Sequence, residues 1–435
     1  MIDLRGKLRS LQPYSSPYGG VGVKNICVRT RTFRGNALHV VVVGGGLVGM
    51  FTSYSLLRAG FSVTLVDGHR GGRKASVYNA GLITPSLSPA PPIRMRRLIR
   101  AAISPVGPLY FSPVQVLTNL RWVSAAVREG VGGSEETIVE LGKRSLRIYN
   151  EFFREEGIDP NVIRGVAALY ARADDARRAA DAMGARFIDR DRAVELGFLG
   201  IEGGYEIEEE ISLHPGRLCE ALRRRLGEMG ATLVASEGAR LRSDGGRKVE
   251  SVITEKEELH GDGFIATAGS WSRELCRPLG YDPMILPARG LVLLFDTGGA
   301  RVIGRPALLE DYRIGVSQHD ERTVRMTSFY ELVGHNDRFG EGRRRWILDI
   351  ARRHLKNYGA LRLVEEGVGY RPCTPDGLPV VGRVPGYENL FIASGHCRVG
   401  ATLAPVTGHL VTALLGGRES SEPVLKLLDP GRFRR

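Results

Sequence analysis

At 435 residues the chain is long enough for two or three domains rather than one small core. A hydrophobic share of 43% beside 25% charged residues excludes a disordered or fibrous chain, and no apolar run suffices for a membrane span, since the nearest, Val40 to Leu57, is broken by a glycine turn. The net charge of +13 comes mainly from arginines spread along the chain and reads as a solvated basic surface with some arginines serving a site; nucleic acid is not expected as a partner, while peripheral attachment to an anionic membrane stays open.

Residues 1 to about 37 hold Pro13, Gly19, Gly20, several arginines and a single acid, Asp3. They are Arg-rich and acid-poor, as transit peptides are, without a sustained amphipathic pattern, and are expected to form a disordered arm or to reflect a start codon assigned too far upstream. His39-Val40-Val41-Val42-Val43 then predicts a buried strand that runs straight into Gly44-Gly45-Gly46-Leu47-Val48-Gly49 and a helix. In that order G-x-G-x-x-G binds a dinucleotide. Gly44 allows the tight turn, Gly46 keeps side chains away from a pyrophosphate, Gly49 lets helix and strand pack closely, and the phosphates meet the positive helix end. A second strand, Ser62 to Val66, ends at Asp67, roughly 20 residues past the glycines, where an acid is expected on ribose hydroxyls and argues against a 2′-phosphate.

The stretch Val77 to Pro85 and the Pro-rich run Ser86 to Pro92 mark an exit from this unit. Residues 93 to about 200 mix apolar and charged residues at helical spacing, as in Ile138 to Phe153, and predict a mostly helical insertion. Ser212 to Leu218 opens a helix to about Met229, followed by a strand at Ala231 to Val234; Phe264 to Ser272 is a buried strand ending in small residues. Short strands follow at Leu291 to Phe295, Arg313 to Ser317 and Thr323 to Thr327, and Gly367 to Leu414 returns to glycine-punctuated strands and a last helix. Cysteines are few: Cys27, Cys219, Cys276, Cys373 and Cys397 have no C-x-x-C spacing, so no metal site and no secreted disulfide framework is expected, and a reducing cytoplasm is the default localisation. Cys373 and Cys397 could approach each other in space, but packing thiols are the favoured reading.

Four separated motifs together carry a resemblance. They are the N-terminal glycines with Asp67, Asn79-Ala80-Gly81-Leu82-Ile83, Ala266-Thr267-Ala268-Gly269-Ser270-Trp271-Ser272, and the pair Gly369 to Pro379 and Gly395 to Pro405. Over about residues 38 to 415 the chain resembles the D-amino acid oxidase-like superfamily of FAD-dependent oxidoreductases, within it most the D-amino acid dehydrogenases, dye-linked L-proline dehydrogenase catalytic subunits and glycine oxidases. The fold this implies is α/β, a glutathione-reductase-like FAD-binding domain with a Rossmann-type βαβ unit and a discontinuous α+β substrate domain. The FAD domain is expected at 38–92, 205–280 and 363–418, the substrate domain at 93–204 and 281–362, and a tail at 419–435.

The resemblance implies noncovalent FAD, since no cysteine occupies the attachment position used in sarcosine oxidases. It places the cofactor against Gly44, Gly46, Leu47, Val48, Gly49, Asp67, Ser76, Asn79, Ala80, Gly81, Leu82, Ala239, Thr267, Ala268, Gly269, Trp271, Gly369, Gly395, His396, Arg398, Val399, Gly400, Ala401 and Thr402. The small residues of Ala266 to Ser270 suit a strand passing under an adenosine, and the glycine turns before the last helix could aim N–H groups at the flavin pyrimidine edge. Arg371 is assigned to the substrate carboxylate, which its planar fork matches bidentately; Arg398 matches an arginine of glycine oxidases, and Tyr312 and Tyr330 are expected to close the pocket. Two departures stand out. Gly367 occurs where relatives often carry a tryptophan, four residues before Arg371, and Cys397 replaces a common glycine.

The implied activity is oxidation of a small amino acid, a D-amino acid or a proline-type amine, to an imine by hydride transfer to flavin, with a quinone or other carrier as electron acceptor and no obligatory side-chain base. A glycine- or sarcosine-type oxidase using oxygen and an electron-relaying subunit of a larger complex are the alternatives; a homo- or hetero-oligomer are both open. An NAD-dependent dehydrogenase fits less well, because the later motifs match flavoproteins.

Overall fold

In a computed structural model that describes residues 37–68, 75–87, 107–128, 134–418 and 421–434, the valine run His39–Val43 becomes a central strand of a six-stranded sheet. The strand order is Val380–Arg383, Leu390–Ser394, Gly263–Ala266, His39–Val43, Ser62–Asp67 and Thr232–Ala235; all neighbours run parallel except the antiparallel edge strand Val380–Arg383. A parallel strand buried on both faces needs a continuous β-branched run. The valines then divide by the two-residue period: Val40 and Val42 pack into the helical layer, Val41 and Val43 into the layer on the other face.

That helical layer contains Leu47–Arg58, Gly400–Leu415 and Ser134–Glu156. Gly408 permits the first two to touch, for a Cβ there would lie 2.5 Å from Phe51 O. Phe51 also meets Tyr149 and Phe152 edge-on, with centroids 5.3 and 5.2 Å apart, so the long helix from the expected substrate segment covers the nucleotide-binding unit instead. The opposite face is covered in part by the antiparallel strands Arg240–Ser243, Val249–Ile253 and Glu258–His260, through Val249 and Val252.

A ten-stranded sheet forms the second layer system. Its main path runs Arg362–Cys373, Leu286–Asp296, Thr323–Leu332, Ile314–Gln318, Ala307–Leu309, Ile163–Tyr170, Gly203–Ser212 and Leu82–Ile83, with Leu109–Phe111 and Arg186–Asp189 added at its sides. Three expectations shift here. The segment read as mostly helical supplies the buried strand Ile163–Tyr170 to the middle of this sheet. The expected boundaries at 205 and 363 fall inside Gly203–Ser212 and Arg362–Cys373, whose residues pair within the large sheet, so at both places the chain leaves that sheet later than the expected bounds. The arm 1–36, the run Ser88–Pro92 and residues 93–106 lie outside the described residues.

Candidate active site

One cavity of about 1150 Å³ opens at the carboxyl ends of the parallel strands and continues to the ten-stranded sheet. Its first half is built by local turn chemistry. Gly44 has φ +120, and a Cβ there would sit 2.5 Å from the Thr267 carbonyl carbon; at Gly49 a Cβ would sit 1.9 Å from Gly44 O. Helix Leu47–Arg58 starts at Gly46, which has no side chain to cap it, and has no acid in its first turn, leaving its positive end toward the cavity for an anion. Thr267 Oγ1 ties the turn by donating to Val43 O (3.0 Å) or Gly44 O (2.9 Å), and Ser76 Oγ accepts from Leu47 N at 3.0 Å.

Asp67 lines the cavity, accepts from Gly45 N at 3.2 Å and is ion-paired with Arg223. Asn79 closes the next loop: its Oδ1 accepts from Gly81 N (2.7 Å), and its Nδ2 donates to Ser76 O (2.8 Å) and Ala75 O (3.0 Å). Buried Arg325, which sequence reasoning missed, props the same loop from the large sheet by donating to Val77 O at 2.9 Å.

The second half holds the side chains with charge. Arg371, on strand Arg362–Cys373, donates through Nη1 to Phe329 O (2.7 Å), and Phe329 itself has φ +70, an unusual backbone state for a bulky residue. The Arg371 fork lies over Gly290, where a Cβ would be 2.4 Å from Nη1. Arg398, in the turn Cys397–Val399 before the last helix, lines the same cavity. Burial pushes the Arg371 guanidinium down to about 10, with Arg398 beside it adding repulsion, and burial likewise lowers Arg398, helped by Arg313. Arg313, a cavity residue also missed from sequence, pairs with Glu310 at 2.8 Å.

Cys373 and Cys397 form a disulfide, contrary to the expected packing thiols. The reason is tertiary. The strand carrying Arg371 and the turn carrying Arg398 meet through an isolated bridge between Cys373 and His396. The one available signal was that each cysteine sits within two residues of an arginine assigned to the same site. Cys397, in place of a common glycine, adopts φ +47. Tyr330 lines the cavity with its hydroxyl 3.8 Å from Cys397 Sγ; because that sulfur is bonded, the hydroxyl is the donor, and burial raises its pKa to about 12. His396 Nε2 lies 2.9 Å from Thr407 Oγ1, whose proton goes to Leu403 O, so the ring donates and stays neutral; burial lowers it to about 3.

The departure at Gly367 has a partner. A Cβ there would fall 2.5 Å from the Tyr78 ring, which lines the cavity and donates its hydroxyl to Glu365 at 2.9 Å. Tyr78 thus fills space that a larger side chain at 367 would need.

Of the expected site residues, Gly44, Gly46, Leu47, Val48, Asp67, Ser76, Asn79, Ala80, Leu82, Ala239, Thr267, Ala268, Gly269, Trp271, Gly369, His396, Gly400, Ala401, Arg371, Arg398 and Tyr330 line the cavity. Gly49, Gly81, Gly395, Val399 and Thr402 lie behind its wall; Gly81 backs onto Leu213 O, and Val399 and Thr402 are buried. Tyr312 is the clear exception. Its hydroxyl faces His354 Nε2 at 3.1 Å, whose Nδ1 is 2.8 Å from Leu199 O, and its ring meets Trp346, so it belongs to the core behind the large sheet. Among the described residues no group of three or more His, Cys, Asp or Glu is arranged around a metal position, and no helix is long and apolar enough to cross a membrane.

A glycine turn under an uncapped helix, an acid at the end of the second strand and a long cavity leading to two arginines define a dinucleotide-dependent oxidoreductase. The chain belongs to the DAO family of FAD dependent oxidoreductases, whose match spans residues 39–414. It is 28% identical over 406 residues to a glycine oxidase of Pseudomonas aeruginosa, covering 91% of this chain and 98% of that protein. A D-amino acid dehydrogenase of Vibrio vulnificus is 24% identical over 89% of this chain and 98% of its own length. Among solved structures, L-proline dehydrogenase from P. horikoshii superposes with a TM-score of 0.70 at 16% identity, over 92% of this chain and 98% of that one. The cofactor of this family is FAD, and the turn fits it: a Cβ at Gly44 would strike the Thr267 backbone that closes the loop, and Gly46 lines the cavity without putting a side chain into it.

Proposed function

We propose that the protein oxidises a small amino acid to its imine and passes the electrons to a quinone-type or dye-like carrier. The observation that carries this reading is Arg371: a guanidinium deep in the molecule, facing the cavity, with one N–H on Phe329 O and no carboxylate of the described chain in ion-pair reach. Such a fork is matched by a substrate carboxylate. Noncovalent FAD in the cradle supplies the hydride acceptor.

Arg371 then binds and orients the carboxylate, and Phe329 O holds one edge of the guanidinium so that the fork keeps one orientation. Tyr330, held protonated by burial, donates to the disulfide sulfur and forms a wall of the pocket. The start of helix Gly400–Leu415, without a side-chain cap, turns backbone N–H groups to the cavity and would favour negative charge on a bound flavin, while His396, its ring N–H given to Thr407 Oγ1 and its pKa lowered by burial, adds no titrating charge there. The substrate loses a hydride from its α-carbon and a proton from nitrogen to water; the nitrogen lone pair forms the C=N bond, which water then hydrolyses unless the imine is cyclic.

Arg398 in the cavity favours an oxygen-using glycine- or sarcosine-type oxidase as the second reading. Anaerobic bleaching of the bound flavin by glycine, sarcosine, D-amino acids, L-proline and D-proline tests both. Bleaching by one group with reoxidation only by a dye supports the dehydrogenase, and reoxidation by air the oxidase. Flavin that no amino acid reduces would count against a carboxylate role for Arg371 and favour a relay subunit. In a responsive enzyme Arg371→Met is expected to lower kcat/KM by roughly 10²- to 10³-fold, the scale of losing one partner of a buried charge pair.

A further inference from the structure

The charges around the substrate end of the cavity do not balance for a substrate with one carboxylate. Arg313, Arg371 and Arg398 line it. Glu310, which is not part of the lining, lies 2.8 Å from the Arg313 guanidinium and also attracts Arg398, so it offsets one of the three positive charges and leaves two. Among the described residues neither Arg371 nor Arg398 has a carboxylate within ion-pair distance; Arg371 hydrogen-bonds a backbone carbonyl, and Tyr330 beside them is held protonated. The remaining acids of the cavity wall are engaged elsewhere. Asp67 is ion-paired with Arg223, Glu274 lies 3.1 Å from His335, and Glu255, beside Glu237, accepts from Glu237 N at 3.4 Å.

A guanidinium taken from water without a counter-charge is expensive, and two facing one cavity repel as well. Burial, and after it the charge of Arg398, lower the affinity of Arg371 for its proton. A monocarboxylate with a neutral amine cancels one of the two charges and leaves the other.

We propose that the preferred substrate is an amine bearing two carboxylates, one held by Arg371 and the second by Arg398. This rests on the reading of Arg371 given above and adds to it the chemical class of the substrate. It makes Arg398 the residue that selects for the second carboxylate. The competing use of Arg398 is a contact to the flavin, because its turn precedes helix Gly400–Leu415 at the cavity end described above. The two uses differ in what removing the charge does to different substrates.

The test uses the holoenzyme and two matched pairs in which a methyl hydrogen is replaced by a carboxylate: sarcosine against iminodiacetate, and D-alanine against D-aspartate. Oxidation of iminodiacetate removes a hydride and a proton, and hydrolysis of the imine gives glyoxylate and glycine, with both electrons delivered to an added dye. The wild type is expected to favour the dicarboxylate of at least one pair by tenfold or more in kcat/KM. Arg398→Leu is expected to bring that ratio near one through KM, while Arg398→Lys, which keeps a charge there, retains a preference. A wild type favouring both monocarboxylates would overturn the proposal. So would an Arg398→Leu enzyme that loses both members of a pair equally while its flavin spectrum shifts, the signature of a flavin contact. Should no amine reduce the flavin, the proposed function fails, yet this inference is still tested by unreactive anions. Tighter binding of malonate than of acetate at equal ionic strength, read from flavin absorbance and lost in Arg398→Leu, supports it; equal binding refutes it.

Discussion

Glu210 shows how one carboxyl sets a pH dependence. Its Oε1 accepts from Ser86 N at 2.6 Å, its Oε2 has no partner among the described residues, and burial pushes its pKa from the ordinary 4.5 up to about 7. Between those values the unfolded chain is ionised while the folded one holds its proton. This group therefore contributes less stability as pH rises through 7. Glu210→Gln keeps the acceptor and removes the charge, so it should stabilise the protein by about 3 kcal/mol at pH 8 and leave it unchanged near pH 4. Thermal melts at the two pH values check this, and equal shifts at both would refute it. His396 and His319, each lowered to about 3 by burial, act in the other direction: the unfolded chain takes up protons below pH 6.5 that the folded one refuses, so stability falls by about 1.4 kcal/mol per histidine per pH unit on acidification.

At the scale of elements, the disulfide joins the strand Arg362–Cys373 to the turn that opens the last helix, closing a sequence separation of 24. Such a cross-link restricts the unfolded chain by about 3 kcal/mol in the chain-entropy picture. Cys397 also holds φ +47, a backbone state that a free, non-glycine residue would leave. The double variant Cys373→Ala/Cys397→Ala should therefore melt earlier than the wild type, and added dithiothreitol should lower the melting temperature of the wild type alone. Identical melts with and without reductant would show that the bond contributes nothing. The C-terminal segment is tied down at two further places: Arg432 forks onto Asp376 with a nearest approach of 2.8 Å, and Arg144 grips Glu422 at 2.6 Å.

For the whole molecule the decisive fact is that a cavity of about 1150 Å³ runs between the two large sheets. Filling it links stability to cofactor: FAD at a thousand times its dissociation constant should add about 4 kcal/mol. Stripping the flavin should lower the melting temperature by several degrees and adding FAD should restore it. An apoprotein that melts with the holoprotein would argue against the cradle at Gly44 and Gly46 as the cofactor site.

The features legible in the amino-acid order are those whose physics is local. A valine run, a glycine turn, a helix start and Asp67 declare themselves within thirty residues, because strand period, turn dihedrals and helix polarity are properties of contiguous chain. Family resemblance extended this to Arg371, Arg398 and Tyr330, which do line the cavity. The rest depends on long-range packing. Ile163–Tyr170 is a strand because Ala307–Leu309 and Gly203–Ser212 flank it; Tyr78 fills the space above Gly367; Cys373 meets Cys397; and Tyr312 turns away to His354. Each depends on partners distant in sequence, and no local periodicity encodes who those partners are.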